Sequence, residues 1–216
     1  MSRLSQLPPL LAGLPHTVLR GRGGAFAFDG ERLPYFYDRY NLTWLNERAV
    51  EVPLARRALA RGGRVLEVGN VLGHYGHRGH EVVDKYERAP GVRNMDVLDL
   101  DPAACWDVVI SISTVEHVGV DDEPSDPRRA VDAVRLLAGA VVPGGELLIS
   151  VPVGYNPVLD RALLAGEVTG VRVDGLLRTA PGPHWRQASR EEAAAAGYDY
   201  ADKTARGLLI VRRPAS

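Results

Sequence analysis

The stretch from Arg64 to Gly73, R-V-L-E-V-G-N-V-L-G, constrains the fold more than any other part of the chain. It reads as a short apolar strand that carries one acidic residue and runs into a glycine-bearing turn. Val65, Leu66 and Val68 supply the aliphatic, β-branched character of a strand buried in a parallel sheet. Glu67 stands two residues before Gly69, and a strand, a carboxylate and a tight glycine turn form the first half of a nucleotide-type site. A dinucleotide site needs glycine at position 71, where the backbone approaches a pyrophosphate, and this chain has Val71. The glycines fall instead at Gly69, Gly73 and Gly76, a spacing that fails the pyrophosphate fingerprint.

A chain of 216 residues is expected to form one domain with a sizeable core. Its formal net charge of −1 gives no basic footprint for nucleic acid. Cys105 is the single cysteine, which excludes an intrachain disulfide and a cysteine metal cluster. Met1 to Leu11 lacks the basic head and long apolar run of a signal peptide, and no apolar stretch reaches the length of a membrane span. A cytoplasmic protein with no nucleic-acid or membrane partner is expected, and the oligomeric state is unreadable.

Along the chain, Ala25–Phe28, the Asp29-Gly30 pair and Glu31–Phe36 read as a hairpin, because Asp-Gly supports a type I′ turn. Tyr40–Ala60 reads as helical, with Pro53 starting a new helix or kinking the old one. Strand-like runs follow at 64–69, 81–86, 92–97, 106–113 and 146–153. Asp126-Pro127 is a helix start, and Val131, Val134 and Leu137 give that helix a buried stripe. Pro143-Gly144-Gly145 is expected to stop it. Strands alternating with helices imply an α/β fold: one Rossmann-like, doubly wound, mostly parallel sheet with helices on both faces. The early crossovers are short, since only about one or two helical turns fit between Gly73 and His80. A closing hairpin is expected in the tail from Gly170, with Gly207–Arg212 as the last strand. Residues 1–62 form an N-terminal cap or lid segment in this reading, and 63–216 the main domain.

Ligands of such sheets bind at the carboxyl ends of the strands near the switch point. That rule selects Glu67, Gly69 and Gly73 after the first strand and Asp84 after the second, where a carboxylate can take both hydroxyls of a ribose. It also selects Asp96 and Val97 after the third strand, near an adenine edge, and Ser113 to His117 after the fourth. S-adenosylmethionine has an adenosine and no phosphate, so it tolerates Val71, and its amino group offers Glu67 a cation to hold.

At this point the chain resembles the class I S-adenosylmethionine-dependent methyltransferases over about residues 62–155. V-L-E-V-G-N-V-L-G (65–73) is similar to the cofactor-binding first motif, V-V-D (82–84) to the ribose-binding strand and N-M-D-V (94–97) to the adenine-binding strand. W-D-V-V-I-S-I-S-T-V-E-H-V (106–118) resembles the fourth strand with its E-H ending, and P-G-G-E-L-L-I-S-V-P (143–152) the fifth. Val71 and the shortened first crossover depart from the pattern. The resemblance implies methyl transfer, here to a small-molecule acceptor such as a natural product being tailored. Cyclisation of the cofactor, aminocarboxypropyl transfer, or a non-catalytic cofactor-binding partner protein remain as alternatives.

His117 is the candidate general base, because imidazole titrates near neutral pH, and Glu116 is a second candidate for the chemistry. Tyr35, Phe36, Tyr37, Tyr40 and Trp44 form the densest aromatic cluster, either packing on the sheet or serving as a lid with Tyr37 and Tyr40 at the acceptor. Tyr155 and Asn156 after the fifth strand, and Trp185 in the tail, are further acceptor contacts. His74, His77 and His80 at i, i+3, i+6 spread around a helix, so no metal site is expected.

Overall fold

The computed structural model describes residues 24–199 and 204–214. Strands β1 (Ala25–Phe28) and β2 (Glu31–Pro34) pair antiparallel. Asp29 and Gly30 between them have φ of 56° and 79°, the left-handed pair that a type I′ turn requires.

Tyr40–Ala60 is not one helix. A 3-10 segment, Tyr40–Leu45, is broken by left-handed Asn41 and Leu42, and helix α1 (Arg48–Leu59) starts afresh beyond it. The Asn46 carboxamide accepts the Arg48 N–H at 3.0 Å. Pro53 lies inside α1 and does not begin it. Proline removes the donor for the carbonyl four residues back, and that carbonyl, on Ala49, takes the Phe36 N–H at 2.9 Å instead. The helix tolerates Pro53 because the segment after β2 supplies the missing bond.

Strands β3 (Val65–Val68), β4 (Glu81–Val83), β5 (Val92–Arg93), β6 (Trp106–Ile112) and β7 (Val141–Pro152) are parallel, in the order β5-β4-β3-β6-β7. The order reverses between β3 and β6, which is the switch point of a doubly wound sheet. β8 (Arg172–Ala180), β9 (His184–Ala188) and β12 (Gly207–Arg212) extend the same sheet antiparallel, in the order β7-β12-β8-β9. The short pair β10 (Tyr198–Asp199) and β11 (Thr204–Ala205) stands apart. The expected last strand is therefore present, but inside the sheet, with the β8–β9 hairpin beyond it.

Side chains alternate between two cores. Leu66, Val68, Val109, Ile149, Leu209 and Val211 face α2 (Arg129–Gly139), α3 (Pro157–Leu164) and α4 (Arg190–Ala194). Val65, Val108, Ile110, Leu148, Leu208 and Ile210 face α1 with Phe26 and Phe28. This period of two explains why these strands read as continuous apolar runs: both faces are covered. Each fully buried aliphatic side chain contributes roughly 1.5–3 kcal/mol by leaving water.

No α-helix lies between β3 and β6. Only 3-10 turns occur there, at Leu72–Tyr75 and Val97–Asp99. Without a helix to cover them, β4 and β5 shrink to three and two residues and stay partly exposed. The crossover expectation holds, while the strands expected at 81–86 and 92–97 are shorter than their apolar runs. The P-G-G segment also differs from expectation, since α2 ends at Gly139 and β7 already begins at Val141. Pro143-Gly144-Gly145 is an irregularity within β7, where its register to β6 shifts between Trp106 and Val108. Gly145 is required there, because a Cβ would lie 2.7 Å from the Asp107 carbonyl oxygen. Among the described residues no helix is long and apolar enough to cross a membrane.

Candidate active site

The carboxyl ends of β3, β4 and β6 converge on a cavity of about 320 Å³. Gly69, Asp84, Asp96, Val97, Ser113 and His117 all line it, so six of the expected site residues meet in one place. Val68, Val83, Met95 and Val118 give it apolar walls. A second cavity of about 200 Å³ shares Gly69, Asp84, Glu87 and Thr114 with the first and adds Tyr40, Arg48, Asn70, His74 and Tyr75.

The turn after β3 needs glycine at position 69. Its φ is +87°, a Cβ would sit 2.2 Å from Thr114 Oγ1, and its N–H donates to the Val83 carbonyl at 2.8 Å. Glu67 does not reach either cavity. It is fully buried, and Oε1 accepts the Val71 and Leu72 N–H groups at 2.9 and 2.7 Å while Oε2 lies 2.6 Å from His80 Nε2. Fully buried, and with its oxygens engaged by the turn and by His80, Glu67 shapes the loop and meets a ligand in neither cavity. Gly73 likewise lines neither cavity, and a Cβ there would meet Asn70 Oδ1 at 2.4 Å. Sequence spacing identified the loop but not which groups it turns inward.

Asp84 lines both cavities, yet its carboxylate is largely committed. Oδ1 accepts the Tyr86 and Glu87 N–H groups at 2.8 and 2.7 Å, and Oδ2 accepts the Asn70 N–H at 3.2 Å. A carboxylate offers about four acceptor positions, so one remains and not the two a diol requires. Glu87, three residues on, brings a second carboxylate to the same junction. Asp96 accepts the Leu98 N–H at 3.0 Å and pairs with Arg129 at 2.9 Å and Lys85 at 3.1 Å. Burial works to raise the Asp96 carboxyl, but the Leu98 N–H and these cations outweigh it and hold it below its ordinary value. Asp122, bonded to Lys85 at 2.6 Å, is also lowered, and Asp122 in turn holds Lys85 firmly protonated.

After β6 the chain turns sharply at Ser113, whose φ of 38° is unusual for a residue with a side chain. The turn is held from behind: the Ser113 hydroxyl donates to Glu51 Oε1 at 2.6 Å, as does Ser150. Ser113 thus lines the cavity while its hydroxyl is tied to α1. Beyond it, His117 Nδ1 lies 2.7 Å from Asp121 Oδ2, and the Tyr155 hydroxyl donates to Asp121 Oδ1 at 3.2 Å. The His117 and Tyr155 rings stand 4.3 Å apart. Burial first, and then Asp121, push the Tyr155 hydroxyl up to about 12, so it remains a neutral donor.

Glu116 lies behind this constellation, turned into the interior. It is buried and lines neither cavity, and its Oε2 has no hydrogen-bond partner among the described residues. Desolvation, with the nearby Glu51 carboxylate, pushes its carboxyl well above the usual range. Its Oε1 is 3.8 Å from His117 Nε2, too far for a hydrogen bond. Arg48 on α1 forms an ion pair with Glu51 through Nη1. Burial opposes its charge, but Glu51 and Glu47 outweigh that and keep it protonated. Its Nε and Nη2 have no partner among the described residues, and the residue lines the second cavity.

The expected acceptor contacts divide. Tyr40 is exposed, lines the second cavity and stacks on the His74 ring at 4.7 Å. Tyr155 abuts His117. Tyr37 is buried and lines neither cavity. Asn156 is fully buried as the cap of α3: its Oδ1 accepts the Val158 and Leu159 N–H groups, and Nδ2 donates to the Glu116 and Pro127 carbonyls. With every group used, it has nothing to offer a ligand. Trp185 belongs to β9 and packs in the core that faces α1. The three histidines part company, with His74 beside Glu87, His77 accepting from Arg56 Nε and His80 on Glu67.

Sequence reasoning missed Asp121, Glu87 and Arg48. Asp121 carried a signal, four residues after His117, and Glu87 a weaker one, three after Asp84. Arg48 carried none, because only the packing of α1 brings it to the glycine turn.

No family model and no curated protein matches the chain. Among solved structures it is similar to the N-methyltransferase NodS from Bradyrhizobium japonicum WM9, at 16% identity and a TM-score of 0.43 over 78% of this chain and 97% of that one. It is also similar to CalS10, an amino pentose methyltransferase from Micromonospora echinaspora, at 20% identity and a TM-score of 0.38 over 76% and 90%. A third is a ribosomal protein L11 methylase from Lactobacillus delbrueckii subsp. bulgaricus, at 12% identity and a TM-score of 0.41 over 76% and 79%. At these values the likeness fixes neither activity nor acceptor.

Proposed function

We propose that the chain binds S-adenosylmethionine and transfers its methyl group to a small-molecule acceptor, as in natural-product tailoring. The observation that carries this reading is the pair of joined cavities at the switch point, with Asp84 at their junction. The first cavity has apolar walls at Val83, Met95, Val97 and Val118 for a flat ring, and Asp84 and Glu87 offer acceptors for ribose hydroxyls. Its lining includes no arginine, and its one lysine is held by Asp96 and Asp122, which suits an adenosine and does not suit a pyrophosphate. In the second cavity Arg48, whose Nε and Nη2 have no partner among the described residues, offers donors for the carboxylate of an amino-acid end. Arg48 thus anchors the amino-acid end through its carboxylate, where the sequence had suggested Glu67 on its amino group.

When bound, this cofactor supplies an electrophilic methyl group on a sulfonium. The chain's own residues then position and exclude water. Asp121, an acceptor when ionised, fixes the His117 proton on Nδ1 and leaves Nε2 able to take a proton from the acceptor. In this reading residues 24–62 cap the catalytic domain that begins at residue 63, with Tyr40 and Arg48 as their contributions to the site, and the first 23 residues of the expected cap lie outside the described residues.

Titration calorimetry with S-adenosylhomocysteine and with NAD tests the assignment. Binding of the first and not of the second is expected, and Asp84→Ala should weaken it by about tenfold or more, from the loss of a charge-assisted bond and of the loop order that Asp84 maintains. Tight NAD binding without a response to S-adenosylhomocysteine would sink the reading. Mass spectrometry of turnover mixtures separates methyl transfer, which yields S-adenosylhomocysteine, from chemistry that yields methylthioadenosine.

A further inference from the structure

We propose that the acceptor is a protonated amine, recognised through Asp121. The proposal rests on the methyl-transfer reading of the cavity and adds the chemical class of its substrate. The lining of the first cavity is acidic, with Asp84, Glu87, Asp96, Asp121 and Asp122 against a single lysine. Most of these carboxylates are already matched. Asp96 and Asp122 share Lys85 and Arg129, Asp84 has three of its acceptor positions taken by backbone N–H groups, and Glu87 bonds Asn70 and His74.

Asp121 differs from all of them. Its partners are an imidazole and a phenol, neither of which is a fixed cation. An acceptor carrying a carboxylate or phosphate would meet this carboxylate and find no free cation in the cavity, since Lys85 is held on two sides. A neutral alcohol would gain a hydrogen bond but leave Asp121 without a counter-charge. An ammonium supplies the counter-charge.

The same group supplies the proton inventory that the dyad suits. The ammonium gives one proton to the His117–Asp121 pair, and its nitrogen then holds the lone pair that forms the new bond to the methyl carbon. The carbon–sulfur bond breaks with its electron pair remaining on sulfur, and Asp121 balances the imidazolium. An acceptor that is already an anion would need no such base.

The test uses the full chain saturated with S-adenosylhomocysteine, with saturation confirmed by calorimetry. The loaded protein is titrated with 2-phenylethylamine, 2-phenylethanol and phenylacetate, and binding is followed by ligand-observed NMR. The amine should bind at least about fivefold more tightly than the alcohol, the scale of one partly exposed charge pair, and the acid should bind most weakly. Asp121→Asn, at a half-exposed position, should bring the amine down to the level of the alcohol in a protein that still unfolds cooperatively. An alcohol or acid that binds as well as the amine would overturn the proposal. So would a loaded protein that ignores the amine, or an amine preference that survives Asp121→Asn. Absence of S-adenosylhomocysteine binding would instead overturn the methyl-transfer reading, and the amine proposal with it.

Discussion

Asp160 shows how burial at a single carboxyl can reverse the usual dependence of stability on pH. Its Oδ2 accepts the Gly154 N–H at 2.7 Å, while Oδ1 is buried with no partner among the described residues. Desolvation, only partly offset by the Gly154 N–H, pushes the carboxyl from its ordinary 3.8 up to about 6. Because the folded value lies above the unfolded one, the native state holds the proton more tightly. The contribution is fully present below about pH 4 and is lost as pH rises through about 6. The full span is on the order of 3 kcal/mol. Asp160→Asn keeps an acceptor for Gly154 and removes the charge. It should stabilise the protein at pH 7–8 and make the difference in melting temperature from the wild type grow between pH 4 and pH 7. A difference that stays constant across that interval would show that Asp160 titrates as an exposed carboxyl does. Asp29, Glu81 and Asp122, which are ion-paired, shift the opposite way, so the comparison with the variant isolates this group.

At the scale of elements, the caps and turns decide where side chains can serve a ligand. Asn156 illustrates it: a polar residue just after a strand at the right sheet edge reads as a binding group, yet its position before Pro157 makes it the cap of α3. Asn156→Ala should destabilise the protein by about 1–2 kcal/mol for the cap alone, and more for the two carbonyls left without donors. Affinity for S-adenosylhomocysteine should stay close to the wild-type value. Urea unfolding and calorimetry on the same preparation check both halves, and a tenfold loss of affinity with unchanged stability would return Asn156 to the binding site. The turn after β3 follows the same logic in reverse, because Glu67 spends its carboxylate on holding the loop that carries Gly69 and Asn70 to the cavity.

For the whole molecule, cohesion is unevenly distributed. β6, β7 and β12 lie at the centre, covered on both faces, whereas β4 and β5 have no crossover helix and together span five residues. Native-state hydrogen exchange should therefore find the slowest amides in β6, β7 and β12 and the fastest sheet amides in β5, with protection in β4 and the Asp84–Glu87 loop rising when S-adenosylhomocysteine is added. Uniform protection along the sheet would contradict this gradient. The split between what was legible and what was not follows from the range of the interactions. Alternation of apolar residues and the turn chemistry of Asp29-Gly30 and Gly69 are local, so the sequence alone determined the parallel sheet, the first hairpin, the short early crossovers and the edge where Asp84, Asp96 and His117 gather. Hydrogen-bond partners are not local. Only the tertiary structure decided that Glu67 is consumed by its own loop, that Trp185 lies in the far core and that Glu116 turns inward. It also decided that Arg48, more than 20 residues before the glycine turn, comes to line the site, because a side chain's free donors and acceptors are those that packing leaves over.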